Sequence, residues 1–470
     1  MGIVYHFLSD AHNLNMLLML PKATNCLTSQ PKATLMTDLC TLLICLGPLL
    51  DTSTYRQLQN ISQTLLMMTG RITMLSISRW AEKGCSYRTI QRFFAKSIPW
   101  GALNWAIIKP FLKQNDRDII IAGDATTVTK SGWKTFGLGR FFSSIYSRSV
   151  PGIAFQTLSL INTKTRMSWP ILIEQILPKP KQKKSTCPKK KESRGKGRPK
   201  GSKNKNHRDV KLNAEMTQVQ SMLKQLLTMI KDTLQTVYFV YDGAFGNNAA
   251  VQMTRIIDLH LISKLRNDSA LYYKWNGDYS GKGRPPIYGT RVDYNNIPAK
   301  YLKSDETEKD IRTRIYQIIV MHKKFADSLN VVIIIKENLK TGKVARIILF
   351  SSDLELEWEK IIDYYRLRFQ IEFNFRDAKQ HWGLEDFMVI KKQSVFNAAN
   401  LSLWMVNVSQ ATLAISGEES ILDLKARQHG LRYAQELFKI LPKNTKPINI
   451  VQLFEKIPVL GRIHVKKIAS

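Results

Sequence analysis

The sequence predicts an α/β protein in which a mixed β-sheet has helices before and after it. Three short runs rich in β-branched residues lie between residues 117 and 177 and suit a three-stranded meander. A strongly periodic helix follows at residues 214–234, and a further apolar run at 236–241 suits a buried strand. Helical periodicity also fills residues 39–111 and most of the chain after residue 354.

The composition points to nucleic acid as the partner. Apolar residues make up 44% of the chain and charged residues 23%, which is ordinary for a globular protein. Lys and Arg number 70 against 37 Asp and Glu, and the resulting charge of +33 would attract a polyphosphate backbone. The sequence has no basic amphipathic helix and no apolar run long enough to span a bilayer, so we expect no membrane partner.

Two further features favour a cytoplasmic location. The first twenty residues lack the positive start and the small-residue cleavage site of a signal peptide. The five cysteines show no CxxC spacing, which argues against a disulfide framework and against a zinc site.

The stretch ISRWAEKGCSYRTIQRFF suits two helices joined by a turn, with Ser86 as the cap of the second helix. As a helix-turn-helix, it would present four side chains of the second helix to a DNA groove: Tyr87, Arg88, Gln91 and Arg92. An ordinary helical hairpin inside an all-α domain explains the same pattern, so both interpretations stay open.

Two aspartates follow short apolar strands, and a glutamate lies in a later helix. Asp124 and Asp242 each come one or two residues after a strand, where open sheets present catalytic groups, although a lone Asp there is usually a turn residue. In the predicted helix YYRLRFQIEFNFRDAK, four side chains fall within a stripe about 60° wide, with apolar residues on both sides. They are Tyr365, Arg368, Glu372 and Lys379. The opposite polar face, which includes Asn374, is expected to meet water.

The spacing Y-x-x-R-x-x-x-E-x-x-x-x-x-x-K resembles the signature of bacterial insertion-sequence transposases of the insertion-sequence-four type, which belong to the DDE superfamily. The resemblance extends over residues 118–410. It implies a ribonuclease-H-like mixed-sheet catalytic core with a β-rich insertion, preceded by an all-α N-terminal DNA-binding domain and followed by C-terminal helices. The intervals between the three acids, 118 and 130 residues, leave room for a basic segment and for the insertion.

The resemblance also implies the chemistry. Asp124, Asp242 and Glu372 would be the catalytic residues and would hold two Mg²⁺ ions, for which Mn²⁺ would substitute. Two such ions can activate water or a 3′-hydroxyl and stabilise charge on the phosphorus. The DNA-contacting residues would be Tyr365, Arg368 and Lys379. The implied activity is cut-and-paste transposition by a nucleoid-associated homodimer that binds double-stranded terminal inverted repeats and target DNA.

These expectations divide the chain into six segments. They are a poorly defined N-terminus (1–35), a helical DNA-binding domain (36–115), the first part of the core (116–267) with a basic segment (179–211), a β-rich insertion (268–330), the second part of the core (331–410) and a helical C-terminal region (411–470). Within the insertion, Trp275 suits either base stacking or ordinary packing. Two other functions stay open: an inactive or repurposed DNA-binding protein, and a non-transposing nuclease of the same fold.

The basic segment carries 15 Lys or Arg against two acids and has too few apolar residues to fold alone. Part of it resembles an AT-hook, in which a GRP core with flanking basic residues binds the minor groove of A·T-rich DNA. The cations of this motif are Arg198 in the core and Arg194, Lys196 and Lys200 around it. The alternative is a solvated basic loop that binds any DNA through its phosphates.

Deleting residues 179–208 should weaken binding to every duplex by a similar factor and flatten the salt dependence of the affinity, because fewer counterions would be released. Fluorescence anisotropy over a series of salt concentrations measures both quantities. A loss confined to A·T-rich duplexes would contradict non-specific binding and favour the AT-hook.

Overall fold

The computed structural model describes residues 35–81, 84–112, 119–143, 147–178, 206–279, 281, 283 and 285–440. Helices precede the sheet, and several begin at a side-chain cap: the Ser86 hydroxyl, as predicted, accepts the backbone N–H of Thr89. The helices are α1 (Leu35–Leu43), α2 (Thr52–Met67), α3 (Met74–Trp80), α4 (Tyr87–Ala95) and α5 (Trp100–Leu112), with a 3-10 helix at Ile44–Leu49 between the first two.

The described strands form one twelve-stranded sheet. Its strands are β1 (Ile119–Thr129), β2 (Gly139–Ser143), β3 (Arg148–Asn162), β4 (Ser168–Ile176), β5 (Tyr238–Val240), β6 (His260–Leu265), β7 (Leu271–Lys274), β8 (Tyr288–Arg291), β9 (Leu302–Glu308), β10 (Ile311–His322), β11 (Leu329–Asn338) and β12 (Val344–Ser351). Their order is β2-β3-β1-β5-β6-β12-β11-β10-β7-β8, while β4 pairs with β3 and β9 pairs with β10.

The centre of the sheet combines both strand directions. β1 pairs antiparallel with β3 over its whole length, and it pairs parallel with β5, which in turn pairs parallel with β6. The predicted mixed α/β fold is therefore confirmed, and the neighbourhood β4-β3-β1-β5-β6 fits a ribonuclease-H-like core. The predicted meander corresponds to β1, β3 and β4. The short β2 comes between β1 and β3 along the chain and pairs with β3 in the sheet.

The remaining helices follow within and after the sheet, and those that pack on it cover both of its faces. They are α6 (Ala214–Ile230), α7 (Asn248–Arg255), α8 (Trp358–Leu367), α9 (Gln370–His381), α10 (Lys392–Ser416) and α11 (Ile421–Ile440). Successive residues of β1 point to opposite faces. Ile119 and Ile121 join a large apolar cluster with α5, α6 and α10, whereas Ile120 and Ala122 join a smaller cluster with α8.

The helix predicted to carry the stripe from Tyr365 to Lys379 is not continuous. It is divided into α8 and α9 at Arg368 and Phe369, where the backbone N–H groups of Ile371 and Glu372 bond three residues back. Such bonds tighten a helix locally. The break has a packing cause, because Ile361 of α8 belongs to the smaller cluster while Phe375 of α9 belongs to the larger one.

The β-rich region inserted after β6 continues the main sheet. β10 pairs antiparallel with β11 over ten residue pairs, and β12 then pairs antiparallel with β6. The hairpin between β11 and β12 turns at Gly342, which has a φ of 66° and donates its N–H to the Asn338 carbonyl at 2.8 Å.

The N-terminal helices share the large core with the sheet through α10, most of whose residues are buried. The indole N–H of Trp100 in α5 donates to Asn397 Oδ1 at 2.9 Å. Asn397 Nδ2 in turn donates to the carbonyls of Phe94 and Lys96 at 2.9 and 2.7 Å. This buried amide therefore ties α10 to two of the N-terminal helices.

Replacing Asn397 with Ala should lower the free energy of unfolding by about 2–4 kcal/mol, because it strands a buried indole N–H and buried carbonyls. Urea denaturation followed by circular dichroism measures the change. Asn296→Ala, at an exposed position of the insertion, is the matched control and should change the stability by less than about 0.5 kcal/mol. Equal stability of the two variants would contradict a structural role for the Asn397 amide.

Candidate active site

Two aspartates occupy equivalent positions on neighbouring parallel strands. Ala122 of β1 is the register partner of Val240 of β5, and Asp124 and Asp242 each lie two residues further along. Adjacent strands are about 4.8 Å apart, so the two carboxylates lie at the same edge of the sheet. Asp124 was expected at the end of its strand, but β1 continues to Thr129 because β3 pairs with it along its full length.

Arg368 joins the first aspartate to the glutamate. Its Nη1 donates to Asp124 Oδ2 at 2.8 Å and its Nη2 donates to Glu372 Oε1 at 3.1 Å. The Arg368 side chain is only 13% exposed and that of Asp124 18% exposed. A partly buried guanidinium with two carboxylate partners makes strong, charge-assisted bonds. The tight turn between α8 and α9 positions Arg368 to make both contacts.

Burial, with smaller contributions from the negative charges of Glu372 and Asp242, raises the pKa of the Asp124 carboxyl to about 6, although Arg368 and the Ala125 N–H act in the opposite direction. Burial disfavours an ionised carboxyl, and nearby negative charges act in the same direction. The two aspartates at the sheet edge and Glu372 on α9 therefore repel one another, and a cation between them would relieve that repulsion.

Asp242 is held by its backbone and by its side chain. Its carboxylate caps the short 3-10 turn Gly243–Phe245 by accepting the Ala244 N–H at 3.0 Å. Its carbonyl accepts the Ser263 hydroxyl of β6 at 2.6 Å. These two bonds fix the point at which the chain leaves β5.

Two supporting residues were missed by the sequence reasoning. Gln156 of β3 donates its amide to the Asp124 carbonyl at 3.1 Å and accepts the Tyr241 hydroxyl at 2.6 Å. The Tyr241 ring lies so close to Gly123 that a Cβ there would approach it to 2.7 Å. The glycine directly before Asp124 was the only local signal, since Gln156 is 32 residues away in the sequence.

Lys379 of α9 contacts β1 three residues beyond Asp124. Its Nζ donates to the Thr127 carbonyl at 3.0 Å and pairs with Glu385 at 3.4 Å. Seven helical residues rise about 10.5 Å from Glu372 to Lys379, and three strand residues rise about 10 Å from Asp124 to Thr127. The spacing of Glu and Lys in the sequence therefore matches the strand beside which α9 lies.

Tyr365 lies beside the same arginine, since the Arg368 guanidinium carbon is 5.9 Å from the centre of the Tyr365 ring. Burial raises the pKa of the Tyr365 hydroxyl above its usual value.

The expectation that Asn374 would meet water is wrong. Its side chain is 2% exposed and donates to the Ser168 hydroxyl at 2.8 Å, because α9 packs on β4 as well as on β1.

The other predicted DNA-contacting residues lie elsewhere. Arg88 and Arg92 are exposed on α4, together with Tyr87 and Gln91. Trp275 is 38% exposed and follows β7, which is six strand positions from β1, or about 29 Å along the sheet. The four residues of the proposed AT-hook, Arg194, Lys196, Arg198 and Lys200, lie outside the described residues, as do most of the basic segment and residues 1–34.

The donor set suits a divalent cation. Asp124, Asp242 and Glu372 offer only oxygen atoms, which Mg²⁺ and similar hard ions prefer, and Arg368 supplies the positive charge beside two of them. Among the residues that the structure describes, no three His, Cys, Asp or Glu side chains are placed so that they could hold a metal ion as they stand. The fit of the three acids to a cation rests on their oxygen donors, on the sheet edge that Asp124 and Asp242 share, and on the link from Asp124 through Arg368 to Glu372.

A mixed sheet with acidic residues at one edge and a further acid on a flanking helix is the architecture of a nuclease-like α/β domain. The model of the DDE superfamily endonuclease family matches residues 45–323, more than half of the chain, and the chain belongs to this family. The match includes Asp124 and Asp242 and ends before Glu372. No match was found among curated proteins. DDE superfamily endonucleases generally use divalent metals and act on DNA.

The raised pKa of Asp124 predicts a pH-dependent stability in the absence of metal. The folded chain binds the Asp124 proton more tightly than the unfolded chain, whose ordinary Asp pKa is 3.8. The folded state is therefore favoured at low pH, and stability falls as the pH rises from about 4 to about 6. In the Asp124→Asn variant, the free energy of unfolding should therefore fall by about 1–3 kcal/mol less over this pH range than in the wild-type chain.

Urea unfolding at pH 4.5 and pH 7.5, in the presence of a chelator, measures the effect. The exposed Asp278 provides the matched control, since Asp278→Asn should leave the pH dependence of the wild-type chain unchanged. An Asp124→Asn variant that loses as much stability as the wild type between the two pH values would contradict the prediction.

Proposed function

We propose that this chain is a transposase that cleaves DNA at the ends of a mobile element and joins the resulting 3′-hydroxyl to target DNA. The observation that carries the proposal is the placement of Asp124 and Asp242 at one sheet edge, with Arg368 between Asp124 and Glu372. The two aspartates occupy matched positions on adjacent parallel strands. Membership in the DDE superfamily endonucleases supports DNA as the substrate.

Each residue has a role that follows from its chemistry. Asp124, Asp242 and Glu372 would hold two Mg²⁺ ions, or Mn²⁺ in their place, which supply activation of the attacking oxygen and stabilisation of charge at phosphorus. Arg368 brings Asp124 and Glu372 together, and its planar fork also suits two oxygens of a phosphate. Tyr365 lies beside it and offers a hydroxyl donor, while Lys379 brings a positive charge further along β1.

The finer assignments belong to the same proposal. The stripe of Tyr365, Arg368, Glu372 and Lys379 supports the insertion-sequence-four type. The exposed side chains of α4 and the basic segment 179–211 would add DNA affinity. Trp275 could stack on a base only where the DNA extends across the insertion. A homodimer that pairs two element ends, and the division of the chain into six segments, rest on the family resemblance.

Two other functions can be distinguished from transposition, one by the DNA that flanks the gene and one by a cleavage assay. A transposase gene is flanked by inverted repeats, whereas a non-transposing nuclease of the same fold needs none. A repurposed DNA-binding protein would bind DNA without cutting it.

In the described residues no helix is long and apolar enough to cross a bilayer.

The decisive variant is Glu372→Ala. With Mg²⁺, the purified wild-type chain should nick or linearise a supercoiled plasmid that carries the gene and several hundred flanking base pairs. Glu372→Ala should reduce the cleavage rate by at least about 100-fold, because one cation ligand is lost. It should change the affinity for duplex DNA by less than about threefold, since most of that affinity comes from phosphate contacts.

Glu359→Ala removes the same side chain from an exposed position on α8 and should cleave like the wild type. Cleavage by Glu372→Ala at the wild-type rate would overturn the site assignment. A wild-type chain that binds the plasmid but never cuts it would favour the repurposed DNA-binding protein.

A further inference from the structure

The loop between β1 and β2, residues 130–138, presents an aromatic side chain to solvent. Trp133 in this loop is 94% exposed, the highest value among the large hydrophobic side chains of the described residues. Residues of this size usually bury most of their surface. An indole that is almost fully exposed to solvent is unusual, and this one follows the strand that carries Asp124.

The loop around Trp133 is anchored on both sides. Lys130 Nζ donates to the carbonyls of Glu385 and Phe387 at 2.9 and 2.7 Å and lies 3.8 Å from the centre of the Phe387 ring. On the other side, the Phe136 N–H donates to the Ile390 carbonyl at 2.9 Å, and the Phe136 carbonyl accepts the Gln175 amide at 2.9 Å. The anchors fix the base of the loop and leave its tip to project.

The position of the loop is set by the strand that carries Asp124. From Asp124 the strand continues for five residues to Thr129, a distance of about 17 Å. One strand of B-DNA rises about 3.4 Å per nucleotide, so this distance spans about five base pairs. Lys379, bound to the Thr127 carbonyl, lies between the two ends of this path.

The charges around the tip favour a polyanionic partner. Lys134 is exposed beside Trp133, and Lys391 and Lys392 are exposed next to the segment that anchors the loop. The nearby acids already have cationic partners, because Glu385 pairs with Lys379 and Asp386 pairs with Arg71. The exposed residues Met388 and Ile390 add apolar surface on the same segment. Basic residues around a projecting aromatic ring are the combination that binds bases and sugars of nucleic acid.

The loop leaves β1 at Thr129, about five base pairs from Asp124, and Trp133 lies four residues further along the chain. We propose that Trp133 contacts DNA at or beyond the fifth base pair from the phosphate that is cut, with its indole against a base or deoxyribose and Lys134 on the adjacent phosphate. This inference rests on the proposed function for the direction in which the DNA extends from Asp124. The contact is a positioning contact that contributes affinity through stacking and apolar area.

The test measures affinity and its salt dependence separately, with a fluorescein-labelled 40-base-pair duplex of random sequence. Trp133→Ala should weaken binding at least about fivefold, since stacking on one base contributes that much or more, and should leave the salt slope unchanged because no charge is lost. Lys134→Ala should reduce the slope by about one. Trp133→Phe should retain most of the affinity.

Tyr433→Ala is the matched control, since it removes an exposed aromatic ring from α11, and it should bind like the wild type. Unchanged affinity of Trp133→Ala, with a normal thermal unfolding curve, would overturn the inference. Unchanged DNA affinity combined with altered self-association in sedimentation would assign the loop to a protein interface instead.

A positional test follows the affinity test. Single 5-iodouracil substitutions, placed one to ten nucleotides from the mapped cut, should cross-link to the wild-type chain most strongly at or beyond the fifth position and lose that signal in Trp133→Ala. Cross-links that peak within the first three positions would contradict the proposed path. If the wild-type chain binds DNA through Trp133 but never cuts it, the Trp133 contact stands and only the proposed function is contradicted.

Discussion

The repulsion between acidic side chains is the constraint on which the site depends. Asp124 and Glu372 come close together only because Arg368 lies between them and pairs with both. A partly buried cation with two anionic partners is strongly stabilised, whereas the Glu372 charge without it would raise the pKa of Asp124 further. The elements around the site have the geometry that this contact requires, from the full-length pairing of β1 with β3 to the break between α8 and α9.

The break between the two helices connects packing with chemistry. α8 buries Ile361 and Ile362 on one apolar cluster, and α9 buries Ile371 and Phe375 on the other. A continuous helix would hold one face toward one cluster along its whole length. By turning tightly at Arg368 and Phe369, the chain passes from one cluster to the other and positions Arg368 at the edge of β1. The residue with two ion-pair partners is therefore also the residue at which the direction of the helix changes.

Much of the fold could be predicted from local patterns, and the exceptions share a physical cause. Strand and helix periodicity predicted the mixed sheet, and the chemistry of Ser86 predicted a helix cap. The buried position of Asn374 and the helix break depend on which surface α9 meets, and that surface is supplied by β4, some two hundred residues earlier in the chain. Gln156 was missed for the same reason, because its partners Asp124 and Tyr241 come from two other strands.

The difference in length between two neighbouring strands explains why α9 lies where it does. β5 ends at Val240, while β1 continues seven residues beyond the position that pairs with Val240. An uncovered strand edge leaves carbonyl groups without partners, and such edges are usually covered by another element. Lys379 of α9 satisfies one of these carbonyls, at Thr127. The same edge begins beside the candidate catalytic acids and leads toward Trp133, so the position of α9 and the proposed path of DNA both follow from the length of one strand.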